Sequence, residues 1–349
     1  MSEQLQLNKL QSASKSLTSV LNKFHYYPQL ISIGSQPPDQ ILDTLSNTEI
    51  KSDCVLLLNG DAWRYFDAEQ DIFNHPALSG KTVFLQTLGY TNTKYNDLHY
   101  HISYPEFYFS RVKNIDTPPL ANNLNYGFSW LAGIFNIHRA ILGHALYTEN
   151  LLDKIIFSQA DPSDVPHIIQ RIEEDLQDEY GDLSLPNWDA YKNLLPVFHS
   201  DEWSLKNRTV EKGMQINHTA FKDAYCNITI ESEVEEYPYS RNINLPVITE
   251  KSYKAFSSRQ IPLIVGARGH YAYFKDLGFE MMEDLLSAGY DDMPFLQKVD
   301  TVVSTVAKGQ EFIKDFYFSH LPEIQHNYEL VNSDKVDNLI LQRIKDILN

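Results

Sequence analysis

Apolar positions in this chain follow two rhythms. Some form short unbroken runs, and others recur every third or fourth residue. The stretch from Leu245 to Gly278, LPVITEKSYKAFSSRQIPLIVGARGHYAYFKDLG, shows both. Pro246 blocks a helix before it, Thr249 is a good N-cap, and Glu250 sits in the first turn, where a carboxylate suits the helix dipole. Tyr253 and Phe256 lie three apart and give a short apolar face. The run Pro262 to Gly266 has the form of a buried parallel strand feeding a tight turn. A second helix, from Gly269 to Leu277, should close on Gly278 as its C′ residue. The pattern predicts an α-β-α piece of a doubly wound sheet. It places Glu250 and Lys251 at one helix start and Arg268 just past the C-terminal end of a strand, where such sheets bind ligands.

Before this stretch, strands are expected at 29–34, 53–58 and 82–86, with shorter ones at 99–103 and 107–110 and a short helix at 39–46. Residues 112–125 are polar and proline-containing and read as a domain boundary. Beyond it, helix is expected over 138–147, 164–179 and 218–225, and strand at 155–157 and 226–230, the latter with alternating polarity. Residues 280–331 read as mostly helical, and 334–348 as a terminal amphipathic helix. This pattern predicts an α/β fold with a Rossmann-like domain over 1–120, a second domain over 121–333, and a terminal helix over 334–349.

Composition narrows the function classes. The chain has 349 residues, 43% of them hydrophobic, enough for a sizeable core. Its net charge of −17 argues against broad binding to nucleic acid or to an anionic membrane surface. Cys54 and Cys226, the two cysteines, sit in apolar runs and read as buried free thiols. No apolar stretch reaches the length of a membrane span and no apolar leader opens the chain, so a cytoplasmic protein is expected.

Several ordered segments resemble known proteins. ITIESE, a loop, and then VITEKSYKAFSSRQIPLIVG are similar to the donor-binding region of α-1,3-fucosyltransferases. The span from Phe128 to Asp292 resembles a set of glycosyltransferase-like proteins from phages and bacteria. It carries Phe128-Ser129, His138-Arg139, Leu151 to Lys154 with Ser158, Thr249-Glu250-Lys251 with Lys254, Leu277 to Phe279, and Tyr290 to Asp292. The resemblance implies a GT-B architecture, with two Rossmann-like doubly wound domains facing a cleft, the nucleotide-sugar held by the C-terminal one, and the terminal helix 334–349 packing back on the N-terminal one. It implies that Glu250 contacts the sugar part of the donor and that Lys251 and Arg139 meet its diphosphate. The chain departs from the pattern at Gly266-Ala267-Arg268, where the fucosyltransferases often have Gly-Pro.

Glycosyl transfer needs cations or helix N-termini at the leaving diphosphate and a carboxylate for sugar or ribose hydroxyls. If it inverts, it also needs a base for the acceptor hydroxyl. Lys251 at a helix start is misplaced by the dipole rule unless an anion lies nearby, and Arg139 is misplaced in the same way. The donor-site candidates are therefore Arg139, Glu231, Thr249, Glu250, Lys251, Gly266 and Arg268, with Glu231 just past a strand end. Candidates for the base are Asp61, after the best N-terminal strand, and His101 and Glu106 in YHISYPEFYF. No metal site is expected, because His99 and His101 have no further ligands nearby, and Asp291-Asp292 reads as a helix cap. The resemblance, with these residues, implies a metal-independent, cofactor-free glycosyltransferase acting on a nucleoside-diphosphate-sugar and a hydroxyl acceptor such as a glycan. Two alternatives are a non-catalytic nucleotide- or sugar-binding module and a phage-type DNA-modifying sugar transferase; the net charge of −17 counts against the latter.

Overall fold

The computed structural model describes residues 17–34, 38–59, 69–87, 93–103, 123–132, 136–159, 173–174, 185–195, 197, 221–231 and 248–349. For 32–34, 38–39, 59, 69–70, 86–87, 93–94, 101–103 and 250 it describes the backbone alone. The protein is α/β with two largely parallel sheets.

The first sheet begins with β1 (Gln29–Gly34), helix α1 (Pro38–Asn47), β2 (Cys54–Asn59), helix α2 (Glu69–Phe73) and β3 (Thr82–Thr87). It ends with β4 (Thr93–Lys94) and β5 (His99–Ser103). Strands β1, β2, β3 and β5 are parallel and adjacent in that order, with β4 antiparallel on the edge. The order advances in one direction, so right-handed crossovers carry α1 and α2 to the same face. There Ile41, Leu45, Ile72 and Phe73 pack with Val55, Leu57, Val83 and Leu85. Among the described strands of this sheet there is no order reversal of the doubly wound kind. The opposite face, Leu56, Leu58, Phe84 and Tyr100, joins a cluster with Leu17, Val20 and Leu21 of the helical stretch 17–23. Burial on both faces is why these strands read as unbroken apolar runs.

The second sheet comprises β6 (Tyr126–Ala132), helix α3 (Ile137–Thr148), β7 (Ile155–Gln159), helix α4 (Trp188–Leu194), β8 (Ala224–Ile230), helix α5 (Glu250–Ser257), β9 (Ile261–Val265) and helix α6 (His270–Asp276). All four strands are parallel, in the order β7-β6-β8-β9. The chain steps from β6 to β7 on one side, then returns across β6 to build β8 and β9 on the other. Such a reversal leaves a crevice at the carboxyl ends of β6 and β8. The pattern along the chain did not predict β6, and Ala224 and Tyr225, expected in a helix, begin β8.

Helices α7 (Phe295–Ala307), α8 (Gln310–Ser319), α9 (Leu321–Asn332) and α10 (Lys335–Leu348) complete the described chain. On α10, Val336, Ile340 and Ile344 belong to the cluster that holds Leu56, Leu58 and Phe84 of the first sheet and Tyr253, Phe256 and Phe274 of α5 and α6. Arg343 on α10 also pairs with Asp276 at 2.8 Å. Gly278 ends α6 as expected. It takes a φ of +92°, and Phe279 N–H donates to the Phe274 carbonyl at 3.0 Å while the two rings meet edge to face.

Gly143, in the middle of α3, is required by packing. A Cβ there would lie 1.9 Å from Tyr191 Oη and 2.7 Å from Gln159 Oε1. Tyr191 is fully buried and donates a short hydrogen bond to Gln159. Helix propensity favours alanine over glycine by about 1 kcal/mol, yet Gly143→Ala should destabilise the protein by ~1–3 kcal/mol through overpacking. Equilibrium urea unfolding measures the sign directly. A more stable variant would mean that α3 and α4 can separate without cost.

Candidate functional site

The crevice begins at the end of β6. Ala132 is its last residue, and α3 starts after Asn136, whose Oδ1 accepts from Arg139 N–H at 3.0 Å. The next residues, Ile137 to Leu142, are all buried. Two of them are basic: His138 and Arg139, 2% and 6% exposed. The His138 ring meets the Phe295 ring of α7 edge to face at 4.8 Å. Burial, and then the neighbouring Arg139 charge, push the His138 pKa down to about 3, so the imidazole is neutral at ordinary pH.

Across the crevice, β8 runs into Glu231, which is 0% exposed. Its carboxylate gathers the start of α5. Thr249 N–H donates to Oε1 at 3.3 Å, Ser252 Oγ donates to the same oxygen at 2.5 Å, and Thr249 Oγ1 makes a short bond to Oε2. Lys251 Nζ lies 3.8 Å from Oε2 and donates to Thr249 Oγ1 at 3.0 Å. Thr249 is the N-cap, as expected, and accepts from Lys251 N–H at 3.4 Å. The anion that the dipole rule asks for beside Lys251 is thus present within the chain, and it is Glu231. Ser252 is not among the sequence candidates; it stands three residues after the cap, where a capping box would have Glu or Gln. Glu250 opens α5 by its backbone, and its side chain lies outside the described residues.

The end of β9 is organised by two side chains from further along. Gly266 lies under the His270 ring, where a Cβ would sit 2.5 Å from Cε1. Lys298, 1% exposed on α7, donates to the Gly266 and Asp291 carbonyls at 2.9 Å each. Asp291 accepts from Tyr271 and Ala272 N–H, both at 3.0 Å, and so caps the N-terminus of α6. Arg268 is exposed on the turn between β9 and α6. Lys298 had been missed too. Its signal is a lysine next to the apolar stripe Phe295, Val299, Val302 and Val306, with buried Thr301 and Thr305 beside it.

The structure brings Glu231, Thr249 and Lys251 into contact, and it sets Arg139, Gly266 and Arg268 at the carboxyl edge of the same sheet. Asp61 and Glu106 lie outside the described residues, and His101 is described by its backbone alone, on β5 opposite Leu85. Among the described residues no group of three or more His, Cys, Asp or Glu could hold a metal ion, and no helix is long and apolar enough to cross a membrane. Cys54 and Cys226 are both buried free thiols, and burial pushes the Cys54 pKa up to about 11. No protein-family model, curated protein or solved structure matches the chain.

The neutral His138 has a consequence for stability. The unfolded chain protonates this group near 6.5, whereas the folded protein does so only near 3. The unfolded state therefore binds more protons across that window. Stability is fully present above 6.5 and falls as pH drops, by up to about 1.4 kcal/mol per unit from this group. Urea unfolding from pH 7 down to roughly pH 5, above the carboxylate range, should show this slope in the native protein and a flatter one in His138→Phe. Equal slopes would mean that His138 takes up protons in the folded protein as readily as in the unfolded chain.

Proposed function

We propose that the protein is a glycosyltransferase that moves a sugar from a nucleoside-diphosphate donor to a hydroxyl acceptor, with GT-B architecture and the donor on the second sheet. The observation that carries this reading is the meeting of Lys251 and Arg139 with an order reversal. Both belong to helix starts at the carboxyl edge of the second sheet, on the two strands, β6 and β8, between which the chain changes direction. Open α/β sheets bind nucleotides at such a place. Two cations there suit a diphosphate better than a neutral sugar.

In this reading the acceptor oxygen attacks the anomeric carbon and the bond from that carbon to the diphosphate oxygen breaks. The acceptor proton passes to a base, for which Asp61, His101 and Glu106 are the candidates in the first half of the chain. Lys251 and Arg139 stabilise the charge that builds on the leaving diphosphate, so that no metal ion is called for. Glu250 accepts from sugar or ribose hydroxyls. The acceptor is a hydroxyl compound such as a glycan, and the reaction belongs to the cytoplasm, where nucleotide-sugars are made.

The test is nucleotide release from a panel of UDP- and GDP-sugars, with and without acceptor, beside thermal shift with the same donors. Lys251→Met and Arg139→Met should each lower kcat/KM by roughly 10- to 100-fold, the scale of a lost charge-assisted contact. A panel that stabilises the protein without turnover would replace this reading with a non-catalytic nucleotide-sugar-binding module. A panel without any binding would remove both.

A further inference from the structure

We infer that Glu231 is a positioning residue whose carboxylate sets the place of Lys251 and does not itself touch a ligand. Its role for a donor rests on the glycosyltransferase reading, but its hold on Lys251 does not. The case begins with burial. Glu231 is 0% exposed, whereas the Lys251 side chain is 28% exposed, so the cation and not the carboxylate faces outward. A desolvated carboxylate is costly unless its oxygens are filled, and these are filled from within the chain. Oε1 takes Thr249 N–H and Ser252 Oγ, and Oε2 takes Thr249 Oγ1 and faces Lys251 Nζ. Thr249 Oγ1 acts as a relay. It donates to Glu231 and accepts from Lys251 Nζ at 3.0 Å, which ties the ammonium to the carboxylate through one hydroxyl.

A second observation points the same way. The N-termini of α5 and α6, at the ends of β8 and β9, are both occupied by the chain's own carboxylates, Glu231 and Asp291. The Thr249, Tyr271 and Ala272 N–H groups are thereby engaged by the chain itself, and Lys251 is an outward-facing cation at this edge whose geometry the buried carboxylate controls. Removing the Glu231 charge should loosen the Lys251 ammonium, while the strand and helix that carry both stay joined through the Thr249 and Ser252 bonds.

The experiment combines Glu231→Gln, Thr249→Val, Lys251→Met and the Glu231→Gln/Lys251→Met double variant, with melting temperature and near-UV circular dichroism checked first. In the ligand-free protein, acylation of Lys251 by an amine-reactive ester, read by peptide mass spectrometry, should rise about tenfold in Glu231→Gln, because the amine is released from its contacts with Thr249 and Glu231. Lys275 serves as the internal control, since its own partner Glu283 is untouched. Thr249→Val leaves the carboxylate in place and breaks the relay. It should raise Lys251 acylation as well, and it carries the test if Glu231→Gln does not fold. Binding of the UDP- or GDP-sugar that stabilises the native protein should weaken about tenfold in Glu231→Gln. In the Lys251→Met background the same change should have no further effect, because Glu231 acts through that lysine.

Unchanged Lys251 acylation in the variants would overturn the inference. So would multiplying losses in the double variant, which would mean that Glu231 reaches the ligand directly. If Lys251 acylation responds while no nucleotide-sugar binds the native protein, the positioning role stands and the glycosyltransferase reading fails.

Discussion

A carboxylate without water must find its partners inside the protein, and that constraint organises the second sheet. Glu231 ends a polar stripe on β8. Asn227, Thr229 and Glu231 alternate along the strand, and all three are buried. Thr229 Oγ1 donates to Asn227 Oδ1 at 2.8 Å, and Asn227 Nδ2 donates to Ser129 Oγ on β6 at 3.1 Å. Gln260, just before β9, donates to the Ala224 carbonyl at 2.8 Å. The other face of β8, Cys226, Ile228 and Ile230, is apolar core. The stripe thus forms a buried polar seam up the strand, and its last member holds the first turn of α5. Hydrogen bonds of this kind favour one geometry at the strand-to-helix junction, which an apolar face would not impose.

The two sheets are not independent in their packing. One cluster contains one face of the first sheet, the helical stretch 17–23, the aromatic residues of α5 and α6, and the inner face of α10. Phe256 stacks on Phe279 with centroids 4.3 Å apart, and Tyr26 meets the Phe84 ring at 5.0 Å. Such contacts add specific geometry to the area that burial removes from water. The helix that carries Lys251 is therefore fixed at one end by a buried carboxylate and along its length by an aromatic core shared with the first sheet.

Much of the fold was legible from periodicity. The runs that became β2, β3, β7 and β9 are apolar on both faces, and unbroken apolar runs of that length have few other uses in an α/β chain. The Thr249 cap and the Gly278 terminator were legible because each depends on one residue's local chemistry. Strand β6 was missed. Its sequence, YGFSWLA, carries a glycine and a serine that weaken the strand pattern. Those two residues make sense only with their neighbours present: Gly127 lies against Gln310 and Ile313 of α8, and Ser129 belongs to the buried seam. The alternating polarity of β8 misleads in a similar way. Alternation normally marks a strand with one wet face, but here the polar face lies dry against neighbouring side chains.

The chain by itself determined which residue types stand at helix starts and strand ends, and so named Arg139, Glu231, Thr249 and Lys251 as candidates. Those choices rest on the resemblance of the Thr249-Glu250-Lys251 and His138-Arg139 segments to known sequences and on caps and dipoles, which act over a few residues. What only the tertiary structure decided is who answers whom. Lys251 looked like a cation waiting for an anion, and that anion proved to be Glu231, eighteen residues before Thr249 in the chain and one strand-end away in space. The reversal of strand order that gathers β6, β8 and their helix starts around one crevice is likewise invisible locally. It depends on which strand pairs with which, and hydrogen-bonded neighbours in a parallel sheet are set by crossovers of many residues rather than by any residue's own preference.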